Sequence, residues 1–273
     1  MNPAEKLEQE VVIVLVQPQH PGNIGAAARA MKNMGLARLV VVAPPCLDPE
    51  QVRWMAPGCN DLLAEMKIVG SLSEALVGVH RIVGTTARHR KQGHPVHTPG
   101  QVAKEFFESD DLLAILFGRE DFGLSRDDLS FCESLIRIPT PQHASLNLAQ
   151  AVLLVGHDFF EEARARGGAA EGRMVGGNHG NISTGALSRR KVARDQRAEV
   201  QQVNPAADEV VRLLDRVGYM RNTPADKVLL TVRQALQRSA PSVRHVEALR
   251  GMLTRVQWAL DNPDEDWLAP KKK

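Results

Sequence analysis

The 273-residue sequence predicts an α/β domain with a mainly parallel sheet, followed by a small all-α domain. Three observations predict it. Val11–Val16 is a continuous apolar, β-branched run, as in a strand buried on both faces of a parallel sheet. Strand-like and helix-like segments then alternate to about residue 165. From Pro205 onward the apolar spacing is helical only.

After the first strand, Gln17–Gly22 breaks the run. Asn23–Met34 has helical spacing and good helix formers, and Gly35 ends it. Leu39–Val42 is a second buried strand. Ile68–Val69, Ile82–Val83, Leu112–Phe117 and Leu135–Ile138 are further strands, with helices at Ser73–Val77 and Pro99–Glu108. Leu146–Ala163 is a long apolar helix, suited to packing on a partner. Residues 1–165 are thus one domain.

Residues 166–204 read as a basic, flexible linker. Large apolar side chains are few, and Arg166, Arg173, Arg189, Arg190, Lys191, Arg194 and Arg197 gather there, with Arg164 just before them. A solvated tether and a phosphate-contacting segment are both compatible with that composition. Residues 205–262 carry helical stripes: Val210, Leu213, Leu214 and Val217 before a Gly218 cap, then Leu229, Val232 and Leu236. Val246, Leu249, Leu253, Val256 and Leu260 form a packing seam. Residues 263–273 are a charged tail.

Composition excludes several classes. The three cysteines, Cys46, Cys59 and Cys132, form no CxxC pair, which argues against a disulfide framework or a cysteine-rich zinc site. Met1–Glu10 is too charged for a secretory signal, and no apolar run reaches membrane-spanning length. A cytoplasmic protein without metal or membrane partner is expected. The net charge of +2 permits a nucleic-acid partner without demanding one.

Three constellations carry chemistry. His20–Arg29 (HPGNIGAAAR) follows the first strand, where open α/β sheets bind ligands. Its small residues allow close backbone approach. Asn23 and Arg29 are expected on one side of the turn and helix. The segment lacks both GxGxxG and a Walker loop, which disfavours a nucleotide-cofactor or NTPase reading. Leu116–Leu124 (LFGREDFGL) runs from a buried strand into a glycine-bounded charged turn, where Glu120 can position a polar partner. Ile138-Pro139-Thr140 and His143–Ala151 place Ser145 at a helix start, as an N-cap. Asn147 then opens an apolar helix and needs polar partners if buried.

In this order, Asn-x-Gly with a following arginine, LFGxExxGL and Ile-Pro…Ser-Leu-Asn, the chain resembles the SpoU/TrmH class of SPOUT RNA 2′-O-ribose methyltransferases over residues 10–165. Val217-Gly218-Tyr219, Lys227–Gln237 and Ala248–Gly251 resemble the C-terminal extension of the TrmJ branch, which methylates the ribose of cytidine or uridine 32 in tRNA. Two departures stand out. Ala144 occupies a position where a second small polar residue often stands, and the linker is long.

The resemblance implies a deep C-terminal trefoil knot that holds S-adenosyl-L-methionine (SAM) bent. Thr85, Thr86, Ala87, Gly118, Ile138, Ala144, Ser145 and Leu146 would line the cofactor. Arg29 would be central to catalysis, as a base if unusually perturbed or as a clamp on phosphate and oxyanion. Asn23, Glu120, Ser145 and Asn147 would support it. The class commonly assembles its RNA site across a homodimer.

Arg88, Arg90 and Lys91, with His89, His94 and His97, form a basic loop after Thr86, expected to meet RNA. The histidines have no recognised metal-ligand spacing. Arg29, Arg189, Arg190 and Lys191 complete the expected RNA contacts. The competing readings are an rRNA methyltransferase of the same class and a non-catalytic RNA-binding protein of this fold. The presence of Asn23, Arg29, Glu120, Ser145 and Asn147 argues against the latter.

Overall fold

A computed structural model describes residues 1–87, 94–141, 145–167, 197–222 and 224–262. Among them run α1 (Pro3–Glu10), β1 (Val11–Val16), α2 (Pro21–Asn33), β2 (Arg38–Val42), α3 (Pro49–Met55), α4 (Asn60–Glu65), β3 (Lys67–Val69), α5 (Leu72–Ala75) and β4 (Arg81–Thr85). Then come β5 (Val96–His97), α6 (Pro99–Phe107), β6 (Leu113–Phe117), α7 (Arg126–Ser130), β7 (Ser134–Ile136) and α8 (Leu148–Arg166). Three more helices follow: α9 (Val200–Arg216), α10 (Ala225–Arg238) and α11 (Val243–Asp261).

The seven strands form one sheet in the order β3-β2-β1-β6-β4-β7-β5, and every pairing is parallel. β1 explains its own composition. Val11, Ile13 and Leu15 point into one hydrophobic layer and Val12, Val14 and Val16 into the other, so neither parity can be polar. The first layer is covered by α2, α6 and α8, through Met31, Phe106 and Phe159 among others. The second is covered by Leu72 and Ala75 of α5, Leu129 of α7 and, unexpectedly, Val200 of α9. α8 is two-sided: Val152, Val155 and Phe159 are buried, whereas Leu153, Leu154 and Phe160 are partly open to solvent.

The structure adds elements the sequence pattern does not announce. α1 is closed by an Asn2–Glu5 capping box and buries Leu7. α3, α4 and α7 are short, and β5 has two residues.

The C-terminal boundary moves. α9 starts at Val200, five residues before Pro205, which sits inside the helix. The Val200 N–H donates to the Val79 carbonyl at 2.9 Å. Arg197 donates to Asp111 at 2.7 Å and to Glu133 at 2.9 Å, and Glu133 also accepts from Arg81 at 2.7 Å. The last residues of the expected linker are therefore anchored on the sheet domain. Arg197 is spent on carboxylates rather than open to phosphate. At the other end, Arg164 and Arg166 belong to α8 and pair with Glu161 and Glu162.

Within the helical part, α9 and α11 pack through Val203, Ala206 and Val246. Gly218 takes a φ of +82° just past α9, as its cap role requires. The seam on α11 is incomplete: Val246 is buried, but Val256 is exposed. No described helix is long and apolar enough to cross a membrane.

Candidate active site

The sheet order gathers the three constellations. β6 lies between β1 and β4, and β4 pairs with β7. Their carboxyl ends, Val16, Phe117, Thr85 and Ile136, are therefore neighbours, although they are far apart in sequence. The segments following them meet at one edge, the usual ligand position in an open parallel sheet.

There a cavity of about 390 Å³ opens. Thr85, Thr86 and Ala87 form one wall and Gly118–Leu124 another. Phe117, Ile136, Ile138, Ser145, Leu146, Leu148 and Ala151 complete it. All the expected cofactor residues among the described positions line it: Thr85, Thr86, Ala87, Gly118, Ile138, Ser145 and Leu146. Ala144 lies outside the described residues. Thr85 Oγ1 is held by the Leu116 carbonyl at 2.9 Å, and the Thr86 N–H by the Ile136 carbonyl at 2.9 Å. Gly118 is required locally, because a Cβ there would stand 2.2 Å from the Gly123 carbonyl carbon. Gly123 itself has a φ of +72° and donates to the Arg119 carbonyl at 2.7 Å.

Beside the cavity, three of the expected side chains form a polar chain. Asn23 Nδ2 donates to Glu120 Oε1 at 2.7 Å, and Asn147 Nδ2 donates to Asn23 Oδ1 at 3.2 Å. Glu120 Oε2 accepts from the backbone N–H of Gln19 at 2.8 Å. Burial alone would push the Glu120 carboxyl up. The Asn23 amide and the N–H groups of Gln19 and His20 outweigh it and hold the group below the usual carboxylate range. Glu120 is thus an ionised anchor, which orients the Asn23 amide and through it Asn147.

Two expectations change. Asn147, not Ser145, caps α8: its Oδ1 accepts from the Ala149 N–H at 2.9 Å, and Gln150 closes the capping box. Capping accounts for an asparagine at that exposed position, and Ser145 is left facing the cavity. Arg29 does not share a face with Asn23. Both lie within α2, and six helical residues separate them by about 9 Å and about 120° around the axis. Arg29 is exposed and turned toward the Cys59 side.

Gly25 is also re-explained. A Cβ there would stand 2.1 Å from the Val52 carbonyl oxygen, so its smallness serves the packing of α2 on α3, not a ligand. The basic loop loses two members. His94 is buried, with its ring against the Leu129 carbonyl at 3.0 Å and the Gln234 amide at 2.8 Å. His97 lies 3.9 Å from Glu105. Arg88, His89, Arg90, Lys91, Arg189, Arg190 and Lys191 lie outside the described residues. Among the described residues no group of three His, Cys, Asp or Glu side chains is placed to hold a metal ion.

The SpoU rRNA methylase family model matches residues 10–157, which hold both the cavity and the polar chain. The chain belongs to the SpoU methylase family. It is 35% identical over 249 residues to the tRNA (cytidine/uridine/adenosine-2′-O-)-methyltransferase TrmJ of Pseudomonas aeruginosa (strain UCBPP-PA14), covering 90% of this chain and 93% of that protein. It is 30% identical over 262 residues to the tRNA (cytidine/uridine-2′-O-)-methyltransferase TrmJ of Photorhabdus laumondii, covering 92% and 98%. The crystal structure of TrmJ from Z. mobilis ZM4 superposes with a TM-score of 0.72 at 29% identity, over 90% of this chain and 98% of that one.

As a SpoU methylase, the chain is an enzyme of methyl transfer. Its site includes residues that sequence reasoning passed over. Gln19 and His20 act through backbone N–H groups, which no side-chain motif signals. Leu124 and Leu148 fall within the second and third constellations and Ile136 within a strand, but nothing in the sequence singles them out, and their place in the cavity wall depends on the sheet order.

Proposed function

We propose that this SpoU methylase transfers the methyl group of SAM to a ribose 2′-hydroxyl of tRNA, at cytidine or uridine 32 of the anticodon loop. The observation that carries this reading is the cavity at the strand ends with the Asn147–Asn23–Glu120 chain at its rim. The names of relatives matched over nine-tenths of the chain support tRNA as substrate.

SAM fits the residues present. The cavity volume falls within the range of small-molecule sites, and its wall mixes apolar side chains with backbone groups and threonines. Thr85, Thr86, Ala87, Gly118, Ile138, Ser145 and Leu146, with Ala144, would hold it within the knotted topology of the class. When bound, SAM supplies an electrophilic methyl group. The protein supplies placement. Glu120 fixes the Asn23 amide, Asn23 and Asn147 orient polar groups of the ribose, and Ser145 faces both ligands. Arg29, exposed on α2, suits the role of clamp on the adjacent phosphate better than that of base, since a guanidinium is a poor proton acceptor. The partly open face of α8, with Leu153, Leu154 and Phe160, suits a homodimer in which one copy holds SAM and the other helps hold RNA. Arg88, Arg90, Lys91, Arg189, Arg190 and Lys191 would add phosphate contacts. The setting proposed is cytoplasmic, and SAM binding needs no metal.

The description of the matching family names rRNA, which keeps rRNA as the second reading. Calorimetry with SAM, with and without chelator, followed by methylation of separated tRNA and rRNA, tests the proposal. Chelator-insensitive SAM binding and label in tRNA support it. Label in rRNA alone overturns the substrate, and absence of SAM binding overturns the enzyme.

A further inference from the structure

Trp54 is 82% exposed on α3, and Arg53 and Met55 beside it are exposed as well. Val52 and Ala56 form the buried face of this segment, so Trp54, two residues from each, points away from the core. Single exposed apolar residues are common. The position of this one is what matters.

α3 is pressed onto the first turns of α2. A Cβ on Gly25 would meet the Val52 carbonyl oxygen at 2.1 Å and Met55 Cβ at 3.0 Å, and one on Gly22 would lie 3.5 Å from Met55 Cγ. Those turns present Asn23 to Glu120 and Asn147. The indole is therefore one residue removed from the packing contact that carries the polar chain. The surrounding charge is mixed, with acids at the start of α3 and Arg53 in its last turn. Among the described residues neither Arg29 nor Arg53 forms an ion pair. Asp61 is paired with Lys32 at 2.6 Å, whereas Asp48 caps α3 through the N–H groups of Glu50 and Gln51 and forms no ion pair among the described residues. Glu50, in the first turn of α3, is the remaining acid there.

An exposed aromatic flanked by arginines, next to a site for a ribose, matches the way proteins hold unpaired nucleotides: bases stack on the ring and phosphates meet the cations. We propose that Trp54 is a stacking platform for an unpaired base of the substrate RNA adjoining the methylated ribose, with Arg53 and Arg29 meeting the flanking phosphates. The inference rests on the RNA methylation proposed above.

The test uses the full-length chain as wild type, Trp54→Ala and Trp54→Phe. Methylation kinetics are measured on a tRNA transcript, affinity by anisotropy with that transcript and with an unpaired RNA oligonucleotide, SAM affinity by calorimetry and mass by light scattering. Trp54→Ala should raise KM for tRNA and weaken both RNA affinities roughly tenfold, with SAM affinity and mass unchanged, and Trp54→Phe should restore most of the loss. Unchanged RNA affinity in Trp54→Ala overturns the proposal, as does a change of mass, which would make this face a contact between copies. A wild type that binds both RNAs but methylates neither tRNA nor rRNA would instead refute the proposed function, and the affinity arm would still decide the stacking.

Discussion

Asn23 and Glu120 stand 97 positions apart in the chain, yet the Asn23 amide nitrogen lies 2.7 Å from the Glu120 carboxylate. The carboxylate is held ionised by this amide and by backbone N–H groups. A group whose folded pKa is depressed adds stability above its unfolded pKa, near 4.3 for glutamate, and loses it as pH falls through the folded value. Wild type should therefore be more thermostable than Glu120→Gln at pH 6. The gap should narrow as pH is lowered toward 3. Thermal unfolding of both proteins over that range checks it, and a gap independent of pH contradicts the assignment.

Arg29→Ala should lower methyl transfer by at least about 100-fold, as loss of a group acting on developing charge does. Its SAM affinity should stay within about twofold, because Arg29 is not part of the cavity wall. Single-turnover kinetics and calorimetry separate the two effects. Equal losses in both would place Arg29 in the cofactor site instead.

Arg197 joins Asp111 and Glu133 at side-chain exposures of 18%, 12% and 10%. Arg197→Ala leaves the nearly buried Asp111 without its cation and Glu133 with Arg81 alone, and removing one partner of such a network costs about 3 kcal/mol. Denaturant unfolding should show that loss. It should also show the helical C-terminal part becoming more accessible to proteases than the sheet domain. A variant as stable as wild type would mean that the network is neutral.

Replacing Arg189, Arg190 and Lys191 with alanine should weaken tRNA binding and flatten its salt dependence, by about 0.7 to 0.9 log units per log unit of salt for each phosphate left without its cation. SAM affinity should not change. Binding measured at several salt concentrations decides. An unchanged slope leaves this segment as a solvated tether.

Much of the fold was legible because burial on both faces forces continuous apolar strands, as in Val11–Val16 and Leu113–Phe117. Short elements were not legible. α3 and α4 span fewer than two full turns of clear periodicity and are broken by Pro57 and Gly58. β5 is too short to show alternation. Asn23, Glu120 and Asn147 were found as a set by their motifs, but their roles depended on contacts between distant segments. Asn147 and Ser145 are both capping residue types, and only the structure shows which N–H groups each one reaches. Arg29 was misplaced because six steps at about 100° each leave two helical residues about 120° apart, wherever the helix begins. Gly25 looked like a ligand-facing glycine, and its cause is the nonlocal approach of Val52.

Ribose methylation of tRNA at nucleotide 32 is decided by mass mapping of unmodified tRNA after incubation with the purified chain and SAM. One added methyl group is expected, on the 2′-oxygen of cytidine or uridine 32, and it should be absent when Arg29→Ala replaces wild type. A methyl group on a base, at another nucleotide, or none at all with wild type that binds SAM, would contradict the proposed function.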